Sequence, residues 1–156
     1  MPEVTDSWYT NTVNVKLDEG AKLPSRAHAY DAGYDLHARV KNGYGCMAVL
    51  PRSKEVFDTG VHIQLKPGTA GVIMSRSGMN VKHGLTATGL IDCGFTGSIR
   101  VALYNHSNET YYVWDGDRIA QLMIVPVSTP LLKELGPNED FDDSERGEGG
   151  FGSTGR

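Results

Sequence analysis

A chain of 156 residues with 39% hydrophobic content is long enough for one domain with its own core. Its formal net charge of -4, with basic residues scattered rather than gathered, lacks the electrostatic footprint of a nucleic-acid binder and argues against a polynucleotide partner. The longest apolar runs, Ala48 to Leu50 and Leu122 to Val127, fall far short of a membrane span. The opening Met-Pro-Glu-Val-Thr is not a charged-then-apolar leader, so a cytoplasmic protein with no membrane partner is expected.

Residues 1–12 are polar apart from Trp8 and Tyr9, carry no period and read as an arm of unassigned order. Val13, Val15 and Leu17 alternate with Asn14 and Lys16, which predicts a half-buried strand ended by Gly20 and Pro24. Further short strands are predicted at Val56 to Phe57, Val61 to Leu65, Gly71 to Met74, Leu90 to Ile91, Ile99 to Leu103, Tyr111 to Val113 and Ile119 to Val127. Turn sequences such as Asn42-Gly43, Lys66-Pro67-Gly68 and Asp115-Gly116 separate them. Only Gly78 to His83 fits a helical turn. The fold class expected is all-β: a sandwich, jelly roll or compact barrel without internal repeats. Cys46 and Cys93 have neither the density of a secreted scaffold nor zinc-ligand spacing, and read as free thiols.

The end of the chain departs from this pattern. Seven of the nineteen acids fall between Glu134 and Glu148, which reads as an exposed linker, and five of the last eleven residues, Arg146 to Arg156, are glycine. Ordering such a tail costs about 1 to 2 kcal/mol per residue with little burial to offset it, so it is expected to be flexible until something binds. The division expected is a β domain over 1–133 and an acidic linker with a glycine-rich tail over 134–156.

The stretch from Thr88 to Gly97, Thr-Gly-Leu-Ile-Asp-Cys-Gly-Phe-Thr-Gly, places one carboxylate, Asp92, and one ring, Phe95, among glycines that let a ligand approach the main chain. An ordinary hairpin with an Asp turn fits these ten residues equally well. Ser75-Arg-Ser-Gly78 follows an apolar strand and precedes the helical turn, which suits an anion at a helix start; a plain N-cap at Ser77 is the competing reading. Asp35, beside a glycine turn, suits a hydrated cation or simply the turn, and Gln121 alternates with apolar neighbours as an outward polar position would. Gly147-x-Gly149-x-x-Gly152 matches the dinucleotide fingerprint only formally, since no strand feeds it and no helix follows. Its glycine amides, with Arg146, Ser153 and Thr154, still suit a polyphosphate, the alternative being a spacer without a role. There is no HExxH, no Cys–His pair and no GxSxG. The remaining set of groups describes hydrolysis of a phosphoanhydride by activated water.

Taken in order, Ala32-Gly-Tyr-Asp-Leu-His-Ala38, Ser75-Arg-Ser-Gly78, Gly89-Leu-Ile-Asp-Cys-Gly-Phe-Thr-Gly97, Gly116-Asp-Arg-Ile-Ala-Gln-Leu122 and Arg146-Gly-Glu-Gly-Gly-Phe-Gly-Ser-Thr-Gly155 resemble the five motifs of the trimeric dUTP nucleotidohydrolase family. The resemblance implies a jelly-roll-like β subunit with a flexible C-terminal tail, a homotrimer with active sites at subunit interfaces, and hydrolysis of dUTP to dUMP and diphosphate with Mg2+. It implies Asp92 as the general base, Phe95 against deoxyribose, and the hairpin main chain at Gly89, Leu90 and Ile91 as the reader of uracil. It implies Arg76, Ser77, Gly78 and Gln121 on the phosphates, Arg100 at the substrate, and Asp35 near hydrated magnesium. Phe151 would stack on the base while Arg146, Gly152, Ser153 and Thr154 close over the phosphates. Family members usually carry Tyr where this chain has Phe95, so sugar discrimination would rest on sterics alone. The alternatives are a dCTP deaminase-like relative, which needs an acid after the hairpin where Ser98 to Asn105 has none, and a nucleotide-binding trimer without turnover.

Overall fold

The structure is a computed structural model, and it describes residues 12–149. In chain order the elements are β1 (Asn14–Leu17), β2 (Tyr34–His37), β3 (Cys46–Val49), β4 (Lys54–Asp58), β5 (Val61–Gln64) and β6 (Thr69–Met74). Then follow α1 (Ser77–His83), β7 (Leu85–Ile91), β8 (Arg100–Asn105), β9 (Tyr111–Trp114) and β10 (Arg118–Pro126). The predicted all-β class holds, and the strands curl in antiparallel sheets into a jelly-roll-like body. The main sheet runs β2-β10-β6-β7-β8-β4, with β1-β5 and β3-β9 as two-stranded ribbons. No helix among the described residues is long and apolar enough to cross a membrane.

Alternation explains most of the core. Val61 and Ile63 on β5, Val101 and Leu103 on β8, and Phe57 on β4 turn inward while their neighbours face out. They join one cluster with Leu36, Val49, Ile73, Leu85, Val113 and Leu122. On β10, two consecutive residues, Ile119 and Ala120, are both buried, which a regular strand does not allow. The reason is a bulge: the register with β2 shifts between Arg118, opposite His37, and Ala120, opposite Leu36. Buried Asn105 is satisfied on both ends of its amide, donating to the carbonyls of Val49 (3.0 Å) and Glu109 (2.7 Å) and accepting from Ser107 N–H and Oγ.

Several expectations need correcting. β1 exposes all four of its residues, because among the described residues it pairs with β5 alone and nothing covers its outer face. β2 and β3, each only four residues, show no readable alternation and were not predicted. β7 begins at Leu85, five residues before the predicted start at Leu90. Gly89 interrupts its pattern; a Cβ there would lie 3.2 Å from Ile73 Cδ1, so the two strands sit too close for a side chain without adjustment. Ser77 is the first residue of α1 rather than its cap, since Arg76 holds the cap position in an extended conformation, with no side-chain bond to the helix amides. Cys46 and Cys93 are free, as expected.

Phe57 is 1% exposed and is the largest fully buried side chain among the described residues. Phe57→Ala is expected to lower stability by about 3 to 5 kcal/mol, measured as a shift in the urea midpoint at fixed protein concentration.

Candidate functional site

β7 is shared between two neighbours along its length. Leu85, Thr86 and Ala87 pair with Asn105, Tyr104 and Leu103 of β8, whereas Thr88 to Ile91 pair with Met74 to Gly71 of β6. Beyond Ala87 the two hairpin arms part: Arg100 to Ala102 of β8 keep their ladder with Asp58 to Val56 of β4 on the far edge but have no partner on β7. The β8-facing edge of Thr88 to Ile91 is therefore left without a strand. A cleft of about 550 Å³ opens there, lined by Ile73, Gly89 to Asp92, Phe95 and Gly97 to Arg100. Its size suits a small-molecule ligand.

Asp92 sits at the end of β7 with its side chain exposed at the cleft. The chain then turns sharply, with Phe95 N–H donating to the Asp92 carbonyl (3.2 Å). Gly94 provides the left-handed backbone (φ +93) that this turn requires. The Phe95 ring, 47% exposed, lies down over Gly97, where a Cβ would come within 2.8 Å of ring Cζ. Predicted residues Gly89, Leu90, Ile91, Asp92, Phe95 and Arg100 thus share one cleft. Ile73, Gly97, Ser98 and Ile99 line it too and were not predicted; of these, Gly97 lay inside the quoted glycine motif.

The outgoing arm of this loop is tied from behind. Ser98 Oγ donates to Asp58, whose carboxylate also pairs with Arg39 and accepts from Gly60 N–H (3.2 Å). Burial alone raises the Asp58 pKa, but the Ser98 hydroxyl, the Arg39 guanidinium and the Gly60 amide outweigh it and hold the carboxyl down to about 2, from 3.8.

The predicted phosphate and metal residues form a second group. Register places Asp35, Gln121, Met74 and Thr88 in one row across β2, β10, β6 and β7. Asp35 is 7% exposed, with Arg76 Nε at 3.2 Å from one oxygen and Arg118 Nη1 at 3.3 Å from the other. Arg76 also donates to the Arg118 carbonyl (3.3 Å). Burial, then the nearby Lys22, lowers the pKa of His37 beside this group against the pull of Asp35. Gln121 packs over Gly33, where a Cβ would be 3.0 Å from its own. Ser77 and Gly78 are exposed at the start of α1, but the Ser75 hydroxyl is engaged with Ala87 N–H (2.9 Å) and carbonyl (3.1 Å). Arg118 was missed as a site residue, although it stood inside the quoted Gly116-to-Leu122 motif.

A magnesium ion held by protein side chains alone does not fit this group. Both Asp35 oxygens face guanidiniums, and the described residues contain no cluster of three or more metal-ligating side chains. An ion that keeps its waters and is carried by substrate phosphates is compatible with it.

The two groups do not meet within one chain. Thr88, in the row with Gln121, and Asp92, at the cleft, are separated by roughly 13 Å of strand. None of Asp35, Arg76, Ser77, Gly78 or Gln121 lines the cleft. Arg146 is exposed, its Nε donating to the Gly149 carbonyl (2.8 Å), while Phe151, Gly152, Ser153 and Thr154 lie outside the described residues.

The sequence profile of the dUTPase family matches residues 19–155. The deoxyuridine 5'-triphosphate nucleotidohydrolase of Oryza sativa subsp. japonica is 42% identical over 141 residues, spanning 90% of this chain and 78% of that protein. The enzyme of the same name from Corynebacterium glutamicum is 40% identical over 146 residues, 91% and 93% of the two chains. Among solved structures, Staphylococcus bacteriophage 80alpha dUTPase with dUPNHPP superposes with a TM-score of 0.83 at 35% identity, covering 94% of this chain and all of that one. A mutant dUTPase from phage phi11 of S. aureus, described for its coordination of a structural Mg(II) ion, gives a TM-score of 0.74 at 31% identity over 85% of this chain and 100% of that one.

The depressed Asp58 pKa sets a pH signature. A carboxylate whose pKa is lowered on folding contributes stability that is complete above the unfolded value of 3.8 and is lost as pH falls through about 2. Asp58→Asn is expected to lower the urea midpoint at neutral pH, and the difference from the parent should shrink across that window. An offset that stays constant with pH would show that the Asp58 charge is not what stabilises the loop.

Proposed function

The chain belongs to the dUTPase family, and from that premise we propose that it hydrolyses dUTP to dUMP and diphosphate with a water activated by Asp92. The observation that carries this reading is the cleft itself: a free strand edge, a carboxylate and an aromatic wall within one loop. Unpaired amide and carbonyl groups along Thr88 to Ile91 can read the polar edge of uracil, and Phe95 packs against deoxyribose. The mouth of the cleft then brings the α-phosphate towards Asp92. As a water oxygen bonds to the α-phosphorus, its proton passes to the Asp92 carboxylate and the bond from α-phosphorus to the bridging oxygen breaks, releasing diphosphate. Mg2+ enters on the triphosphate as part of the substrate and neutralises charge on its oxygens.

Arg76, Ser77, Gly78 and Gln121 are assigned to the phosphates, with Asp35 and Arg118 holding Arg76 in place. In one chain these groups stand away from Asp92, which supports a homotrimer whose sites lie between subunits, one supplying the cleft and a neighbour the phosphate group. Leu131 and Leu132, 98% and 96% exposed, support further contacts between chains. Residues 134–156 act as the lid, with Arg146, Ser153 and Thr154 closing on phosphates and Phe151 on the base.

The test is diphosphate release. dUTP is expected to be turned over efficiently and dCTP, dTTP and UTP poorly. Cytosine presents a mispaired polar edge, which costs on the order of 1 to 3 kcal/mol when buried. The narrow hairpin excludes the thymine methyl, and the Phe95 wall excludes the ribose hydroxyl by sterics. Comparable hydrolysis of dCTP would remove the uracil assignment. Asp92→Asn is expected to bind dUTP while losing about 10² to 10⁴ in rate, and normal turnover by that variant would make Asp92 structural.

A further inference from the structure

The ingoing arm of the substrate loop is held by the β6 ladder, but the outgoing arm, Thr96 to Ile99, has no place in any strand. It rests instead on residues 58–62, the turn from β4 into β5. The Thr96 carbonyl accepts from His62 Nδ1 (2.8 Å), and Ser98 Oγ donates to Asp58. Ile99 N–H donates to the Val61 carbonyl (2.8 Å), and the Ile99 carbonyl accepts from Thr59 N–H (3.1 Å) and Oγ1 (2.7 Å).

This turn is itself clamped by charge. Arg39, with a side chain 12% exposed, bridges Asp58 and Asp18 (3.0 Å to the latter). Asp18 in turn meets His62 Nε2 at 3.1 Å, so one ring links the Thr96 carbonyl to the Arg39 pair. Asp18 N–H donates to the Gly60 carbonyl and Arg39 N–H to the Asp58 carbonyl, both at 2.9 Å. Neither Asp58 nor His62 lines the cleft, yet each grips a residue within three positions of Phe95. Phe95 itself donates its N–H to the Asp92 carbonyl and leans on Gly97, which lies inside the gripped arm.

We propose that Asp58 and His62 are positioning residues for the substrate loop: by fixing Thr96 and Ser98 they set where the Phe95 wall stands, and so the fit of the sugar. The inference rests on the assignment of Phe95 to deoxyribose. Because Phe has no hydroxyl with which to read the 2′ position, discrimination against a ribose depends on how rigidly the ring is placed. A loop held only through its ingoing arm would bind less tightly and tolerate the extra hydroxyl.

The experiment compares His62→Ala, His62→Gln and Asp58→Asn with the parent, using dUTP and UTP kinetics and hydrogen exchange at amides 95–99. For His62→Ala, KM for dUTP should rise about tenfold with kcat held within about twofold, the pattern of lost uniform binding. The preference for dUTP over UTP should fall, and exchange at 95–99 should quicken while the β6–β10 ladder stays protected. His62→Gln, which keeps one donor for the Thr96 carbonyl, should recover most of the KM. Asp58→Asn, which keeps its size but loses the charge that pairs with Arg39 and strengthens the Ser98 bond, should change KM, selectivity and exchange in the same direction, and it carries the comparison should His62→Ala not fold. Folded variants with parental KM, selectivity and exchange would overturn the proposal, as would a fall in kcat at constant KM. If the parent itself released no diphosphate from dUTP, the activity assignment would fail, and the exchange arm would still decide whether these residues hold the loop.

Discussion

The parting of β7 from β8 beyond the Ala87–Leu103 pair is the constraint on which the site depends. Strand edges carry unpaired amides and carbonyls that must find partners, and an open edge invites another chain. Here the edge of Thr88 to Ile91 is left open over a short length only. β6 holds it from one side, while the first residues of β8 pair with β4 alone and the arm before them rests on the β4–β5 turn. The features assigned to the base, the sugar and the attacking water follow from that wedge: the free main-chain groups on one wall, Asp92 at its rim, and Phe95 on the loop that spans it. A hairpin paired to its tip would fill the cleft with its own backbone.

Charge organises the regions around the wedge. Asp35 is buried, and a buried carboxylate is tolerated only when paired, which Arg76 and Arg118 accomplish. The β10 bulge sets the registers of Arg118 and Gln121 on either side of it. Across the chain, Asp58, Arg39, Asp18 and His62 form a second network under the outgoing arm. The two networks hold different groups, one a guanidinium assigned to phosphate and the other the loop carrying the aromatic wall. The order of the site therefore rests on ion pairs between neighbouring elements as well as on the apolar core.

What was legible in the sequence follows from where the information lies. β5, β6, β8 and β10 announce themselves because alternation such as Val61, Ile63, Leu65 runs long enough to read. β2 and β3 are too short for a period, and β7 loses its pattern at Gly89, which is dictated by the approach of Ile73 from another strand. The exposure of β1 depends on what covers it, which its own residues do not record. Asp92, Phe95 and their neighbours were found because they are contiguous. The separation of Arg76 and Gln121 from Asp92 was hidden, since it depends on the register of β6 against β7. Asp58 and His62 were hidden for a related reason: their importance comes from contact with residues some forty and thirty-four positions away.

In the proposed trimer the cleft of one chain is completed by the phosphate group of another. The most direct test of this arrangement is to mix Asp92→Asn with Arg76→Ala subunits, each nearly inactive alone, after showing subunit exchange by tagged co-purification. Mixed assemblies can pair an intact cleft with an intact phosphate group, so dUTP hydrolysis should rise well above the sum of the two parents. Demonstrated exchange with no gain would mean that both groups serve the same chain, and that the sites do not lie between subunits.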